Sequence, residues 1–242
     1  MDPVLQILQN SMAPYWWIWL LTAVVAYLIG SINPAVIVTR VFTKGKKDIR
    51  DMGSGNAGFT NVLRTVGKVP AIITIVCDAL KCVIAVLIGG WLFGVFAGDG
   101  VTAPLVMNVG KYLAGIFCIL GHSFPLYFHF KGGKGVVSSA ALMLTEDWRV
   151  FLMVLGTFLI LFLITKIISV GSIAGAILYG PYTFLATFVL DRLQYGNDLP
   201  SMAYVIISTV SALIIGTFVT IKHKDNIKRL LRGEEKKIHA KK

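Results

Sequence analysis

Charge is scarce in this chain of 242 residues: 14% of the residues are charged and 56% are hydrophobic, and the mean hydropathy is +0.75. That balance excludes an ordinary soluble globular domain. Histidine and cysteine are also few, at four and three. Cys77, Cys82 and Cys118 lie in apolar runs without a CxxC pair, so they read as packing residues and not as a redox or metal site. No HExxH element or carboxylate cluster occurs, and no metal is expected. No internal repeat, low-complexity tract or soluble domain is visible, so any chemistry belongs to the hydrophobic chain itself. Residues 1–16 contain Asp2 and no Lys or Arg, and do not read as a cleavable signal peptide. They are expected to form a short lead into the first apolar run.

What the chain does contain is long apolar segments, several of them near the roughly 20 residues that a helix needs to cross a bilayer. Hydropathy and the Pro, Gly and charge interruptions place spans near 17–39, 70–96, 104–122, 136–147, 150–166, 169–190 and 202–221. The fourth is short for a crossing, which leaves seven spans as the preferred count and six as the alternative. The expected fold class is an all-α integral membrane bundle, one polytopic domain over 1–242 with a basic tail at 222–242.

The net charge of +11 does not point to nucleic acid, because the cations are confined to a few loops and the tail. Arg40, Lys44, Lys46, Lys47, Arg50, Arg64 and Lys68 crowd residues 40–69, and nine Lys or Arg follow residue 221. By the positive-inside rule both segments are cytoplasmic. This holds with seven spans and the N-terminus outside, whereas six spans would put them on opposite sides. The unusual segments at 53–68, 121–135, 166–172 and 222–235 are then all expected on the cytoplasmic face, where four distant pieces of chain can serve one site.

The first of these segments is GSGNAGFTNVLRTVGK, residues 53–68. Gly53, Gly55 and Gly58 permit positive φ, and Ser54 and Asn56 between them suit a nest of N–H groups around an anion. A short helix should follow, with Thr60, Asn61 and Arg64 on one face and Gly67 and Pro70 ending it. A basic helix lying on lipid headgroups is the plainer alternative. The second is GHSFPLYFHFKGGKG, residues 121–135. It is not a Walker A loop, because position 128 is Phe and position 135 is Gly. Gly132, Gly133 and Gly135 with Lys131 and Lys134 still suit a phosphate, although an interfacial turn with snorkelling lysines would look similar. His122 reads as a helix-end or core histidine with some claim to function.

Residues five beyond His122, His129 and His223 are Tyr127, Lys134 and Lys228, so an HxxxxD element is absent. The third segment, IKHKDNIKRLLRGEEKKI, carries an apolar stripe of Ile227, Leu230 and Leu231, with Asp225 placed to cap a helix and Gly233 to end it. A lipid anchor explains the stripe but not His223 or Asn226. Two weaker features are Asp78 with Lys81 inside the second span, readable as an ion pair supporting a site or as direct chemistry, and Ser169 with Ser172, readable as hydroxyl donors or helix-packing serines.

Taken together, in this order and spacing, GSGNAGFTNVLRTVGK, GHSFPLYFHFKGGKG and HKDNIKRLLRGEE resemble the three motifs of the PlsY-type glycerol-3-phosphate acyltransferases of bacteria. The resemblance runs from about Gly30 to Glu235 and includes DALK and SVGSI. Departures are Phe59 for a usual Ala, Cys82 for a common Gly, a longer N-terminus and a longer DRLQYGNDLP loop. The resemblance implies a seven-span enzyme of the bacterial inner membrane with its active site on the cytoplasmic side. It implies transfer of a fatty acyl group from acyl phosphate to the 1-hydroxyl of glycerol 3-phosphate, without metal or other cofactor and without an obligate protein partner.

Carried over by motif, the catalytic group is His223, Lys134, Arg64 and Asn226. The substrate-binding group is Ser54, Gly55, Asn56, Thr60, Asn61, His122, Lys131, Gly132, Gly133, Gly135, Ser169 and Ser172. The rival reading is a transporter or scramblase of a phosphorylated solute or lipid. That rival calls for polar residues near the midplane and an inverted repeat, whereas here the unusual residues cluster toward one face.

Overall fold

The computed structural model describes residues 15–96, 103–194 and 200–237. Most of the N-terminal lead, the turn at 97–102, half of the DRLQYGNDLP loop and the last residues of the tail lie outside the described residues. Among those described, all regular structure is helical. The chain forms two compact units, residues 1–145 and 146–242.

In the first unit, α1 (Trp16–Ser31) and α2 (Pro34–Phe42) are two helices where hydropathy suggests one. The break has a local cause. Ile32 is extended, Asn33 accepts a hydrogen bond from the Val36 N–H at 3.2 Å, and Pro34 starts the new helix, where its missing N–H costs nothing. The short α3 (Phe59–Thr65) leads into α4 (Lys68–Phe96), and α5 (Ala103–Ser123) follows. Helix α1 packs on both α4 and α5. A Cβ at Gly121 would overlap the Tyr27 carbonyl of α1, so the α1 and α5 backbones touch there. Close approach of this kind holds helices together where lipid supplies no hydrophobic drive. The outer faces of α1 and α4 expose Leu20, Val24, Ile72, Val76, Leu80 and Leu87, as suits a hydrocarbon solvent. Cys82 and Cys118 are buried as expected, whereas Cys77 is exposed on α4.

Helix α6 (Val136–Glu146) ends the unit. Its 11 residues span about 16 Å at a rise of ~1.5 Å each, well short of the ~30 Å hydrocarbon core.

The second unit contains α7 (Trp148–Thr165), α8 (Ile168–Phe184), which winds on as a π-helix over Leu185–Leu193, then α9 (Met202–Lys222) and α10 (Lys224–Leu231). Helix α8 packs on α7 and α9. Asp147 caps α7, and Arg149 joins Asp147 at 2.7 Å to Asp191 of the π-helix at 2.6 Å. Among the described residues six helices are long and apolar enough to cross a membrane, with α1 and α2 counted as one stretch, and α6 is a shorter apolar helix. The protein is a multi-pass helical membrane protein.

Candidate active site

The first unit builds a candidate site around a small satellite core. Ala35 and Val36 of α2, Ile49, Ala57, Val62 and Ala71 are fully buried, and Met52, Phe59, Leu63, Val66 and Phe128 pack against them. The departure Phe59 therefore packs on this core. Over it runs the 53–58 loop, in which Gly53 and Gly55 take φ of 58° and 70° while Gly58 is extended. Asn61 holds the loop from beneath. Its Nδ2 lies 2.8 Å from the Met52 carbonyl oxygen and 3.1 Å from those of Ile49 and Asn56, and its Oδ1 accepts the Ser54 N–H at 3.1 Å. Thr60, Asn61 and Arg64 all lie on α3 as expected, but their surroundings differ: Asn61 is buried under the loop, and Arg64 is exposed. The loop carbonyls need a donor, and Asn61 is the group that supplies it.

The second segment meets the first in the same unit. Arg50 donates from Nη1 to the Phe128 carbonyl at 2.7 Å, and its guanidinium lies 5.9 Å from the Phe128 ring centroid. Asp48 fixes Arg50 through bonds of 2.8 and 2.9 Å. The hydrogen bonds from Arg50 hold the Asp48 carboxyl well below the usual carboxylate range, and the same bonding raises Arg50. Sequence reasoning counted Arg50 only as a topological charge and did not single out Asp48. The "DIRD" pattern of alternating sign in a basic loop was the available signal.

Beyond Phe128, His129 and Phe130 both adopt left-handed backbone, with φ of 56° and 58°, a conformation uncommon for non-glycine residues that clusters at functional sites. The chain then enters KGGKG. A Cβ at Gly132 would overlap the His122 carbonyl, and one at Gly133 would overlap His122 Nε2 and press on the Ala57 carbonyl. Only glycine fits at these two positions, so the second loop lies directly against both His122 and the first loop. Lys131 is exposed and Lys134 half-buried. His122 is buried, its Nδ1 lying 3.1 Å from Asp78 Oδ1 and 3.0 Å from Lys81 Nζ.

In the second unit the polar residues converge on Glu235, which the sequence reading did not select. Its Oε1 accepts from Ser169 Oγ at 2.9 Å and Asn226 Nδ2 at 2.7 Å, and its Oε2 from Arg229 Nε at 2.6 Å. Gly233, at φ 70°, ends α10 as expected and turns the chain so that Glu235 folds back. Asp225 is not the cap: α9 passes into α10 through the single residue His223, which puts Asp225 in the first turn, where the helix dipole favours it. His223 Nδ1 lies 2.8 Å from the Val219 carbonyl, which only accepts, so Nδ1 carries the proton and Nε2 is the basic nitrogen of the neutral ring. Ser172 is buried on α8.

Burial works against the Glu235 carboxylate, but the bonds from Arg229, Asn226 and Ser169 outweigh it and keep its pKa below 4.5. A depressed carboxyl contributes stability that is complete above its unfolded value and is lost as pH falls through the folded one. Glu235→Gln is therefore expected to lower the thermal midpoint at neutral pH, with the gap to wild type closing as pH falls below about 4.5. Unfolding midpoints across that range check it, and a gap that does not depend on pH would contradict the ionic account.

These paired loops can be set beside known proteins. The sequence model described as glycerol-3-phosphate acyltransferase matches residues 20–233. The chain belongs to the glycerol-3-phosphate acyltransferase family, of the PlsY type. It is 38% identical over 221 residues to the glycerol-3-phosphate acyltransferase of Thermoanaerobacter pseudethanolicus, covering 91% of this chain and 96% of that one. It is 38% identical over 224 residues to that of Trichormus variabilis, covering 90% and 91%. Among solved structures it resembles the integral membrane acyltransferase PlsY in its glycerol 3-phosphate form, with TM-score 0.71, 31% identity and coverage of 91% and 96%. The lysophosphatidic acid form of the same protein gives 0.70 at 31% identity, covering 91% and 95%. For this acyltransferase, the family match covers both the loops of the first unit and most of the Glu235 knot of the second.

Proposed function

We propose that this acyltransferase moves a fatty acyl group from acyl phosphate to the 1-hydroxyl of glycerol 3-phosphate, giving 1-acylglycerol 3-phosphate and phosphate. The observation that carries the reading is the pair of glycine loops at 53–58 and 131–135, laid against each other around Ala57 and Gly133. Both substrates bring a phosphate, and two adjacent loops rich in N–H groups and flanked by Arg64, Lys131 and Lys134 suit two anions held close together. That solved relatives carry glycerol 3-phosphate and lysophosphatidic acid supports the same choice of acceptor and product.

Lys134 and Arg64 take the glycerol 3-phosphate group, with Lys131 and the glycines around it. Ser54, Gly55, Asn56 and Thr60 take the acyl phosphate head. Asn61 acts through the loop it braces and His122 from behind the second loop. By motif, Ser169 and Ser172 belong to the substrate-binding residues, and Asn226 and His223 to the catalytic ones.

Acyl phosphate is a mixed anhydride with a good leaving group, so orientation and charge stabilisation matter more than a strong nucleophile. The 1-hydroxyl oxygen bonds to the acyl carbon, the bond from that carbon to the phosphate oxygen breaks, and the hydroxyl proton passes to a phosphate oxygen. His223 Nε2 is the alternative acceptor of that proton. The chain crosses the inner membrane seven times, its N-terminus outside and the site in the cytoplasm, and α6, at ~16 Å, makes the seventh crossing with local thinning of the bilayer. The whole chain works as one membrane domain.

A donor swap tests this reading. Purified protein with chelator present is expected to make lysophosphatidate from glycerol 3-phosphate and palmitoyl phosphate, and none from palmitoyl-CoA. A requirement for CoA or for a metal ion overturns the assignment.

A further inference from the structure

Inside the first unit, away from both loops in sequence, Asp78 and Lys81 of α4 form an ion pair at 2.8 Å with almost no exposure to solvent. A buried pair rarely adds stability over apolar residues of the same volume, and within a membrane ionisable groups mark function by default. Its bonding points to a role. The Lys81 Nζ lies 2.8 Å from Asp78 Oδ1, 3.0 Å from His122 Nδ1 and 2.7 Å from the Ile32 carbonyl oxygen.

The third bond holds the break between α1 and α2, and α2 supplies Ala35 and Val36 to the core under the 53–58 loop. The second takes up one edge of the His122 ring, whose Nδ1 is also 3.1 Å from Asp78 Oδ1. The other edge, Nε2, is thereby turned to the KGGKG loop, where a Cβ on Gly133 would overlap it. The His122 carbonyl also accepts the Gly133 N–H at 3.1 Å.

We propose that Asp78, Lys81 and His122 form a positioning triad that keys both phosphate loops to one buried ion pair and so sets the spacing between the two substrates. None of the three is a catalytic residue in this scheme. His122 backs the second loop, Lys81 ties that loop to the support of the first, and Asp78 holds the Lys81 side chain in place. The proposal rests on the assignment of the 131–135 loop to glycerol 3-phosphate.

The two ring edges give an atom-resolved test. An Asn side chain at 122 reaches about as far as Nδ1 and keeps the link to the ion pair, while a Gln side chain reaches about as far as Nε2 and keeps the support of Gly133. In steady-state assays with glycerol 3-phosphate and palmitoyl phosphate, His122→Asn is expected to raise the glycerol 3-phosphate KM by roughly tenfold or more. His122→Gln, which gives up the link to the ion pair, is expected to raise it roughly threefold or more, and both leave the palmitoyl phosphate KM little changed. Lys81→Met, which unties both loops, is expected to raise both KM values.

A glycerol 3-phosphate KM that is normal in either His122 variant, or in Lys81→Met, overturns the proposal, and so does loss of folded protein in both His122 variants. Wild-type protein that does not use palmitoyl phosphate overturns the donor assignment alone. The ranking of the variants is then read from glycerol 3-phosphate binding by calorimetry.

Discussion

Lys134→Ala is expected to raise the KM for glycerol 3-phosphate by roughly 10- to 100-fold, because a hydrogen bond to a charged group contributes about 1.5–3 kcal/mol and each ~1.4 kcal/mol is a factor of ten. The effect should fall on KM more than on kcat, since the phosphate carries the same charge before and after acyl transfer. An interaction that is equal in ground and transition states contributes to binding alone. Lys134 is half-buried between Gly133 and Gly135, where water screens a charge less than it does at exposed Lys131. Lys131→Ala should therefore cost less. Steady-state kinetics with each substrate varied in turn give the answer, and an unchanged KM in Lys134→Ala removes this lysine from the phosphate site.

Asn61→Ala should do greater damage, and by another route. The buried amide serves the carbonyls of Ile49, Met52 and Asn56 and the N–H of Ser54. Its removal strands groups that each cost about 1–3 kcal/mol when left unpaired out of water. The total will be less than the sum, because the loop can relax toward solvent. A lower thermal midpoint is expected, with kcat/KM reduced at least tenfold as the first loop loses its shape. Asn61→Asp should be worse than alanine: it keeps an acceptor for Ser54 but sets an acceptor or a negative charge against three carbonyl oxygens. If aspartate is tolerated as well as asparagine, the amide is not the brace of this loop.

The two substitutions show what kind of role a sequence motif reveals. Ser54, Asn56, Lys131 and Lys134 stood out because small polar residues, glycines and cations amid apolar residues have few structural uses. Asn61 stood out for the same reason, yet the structure gives its side chain to the loop itself. Asp48 and Glu235 passed unnoticed among the loop and tail charges, and Arg50 counted only toward topology. Arg50 and Glu235 matter through partners distant in sequence, Phe128 and Ser169, and one chain read alone carries no record of such pairs.

The same division runs through the fold. The positions of the long apolar helices were readable to within a few residues because hydropathy over twenty residues is set by composition, and bilayer thickness demands that length. The break at Ile32–Asn33 was written in the Asn-Pro pair but masked by apolar residues on either side. Helix α6 was legible as too short, since its length is bounded by Gly135 and Asp147, both visible in the sequence.

Composition and local pattern by themselves determined that this is a multi-pass helical membrane protein with glycine loops suited to phosphate, because lipid as solvent and glycine as backbone act residue by residue. Only the tertiary structure decided that Gly133 lies against Ala57 and His122, that one ammonium serves α4, α5 and the α1 break, and that Glu235 gathers Ser169, Asn226 and Arg229. Those contacts depend on helix packing and close backbone approach across tens of residues, which local sequence does not encode.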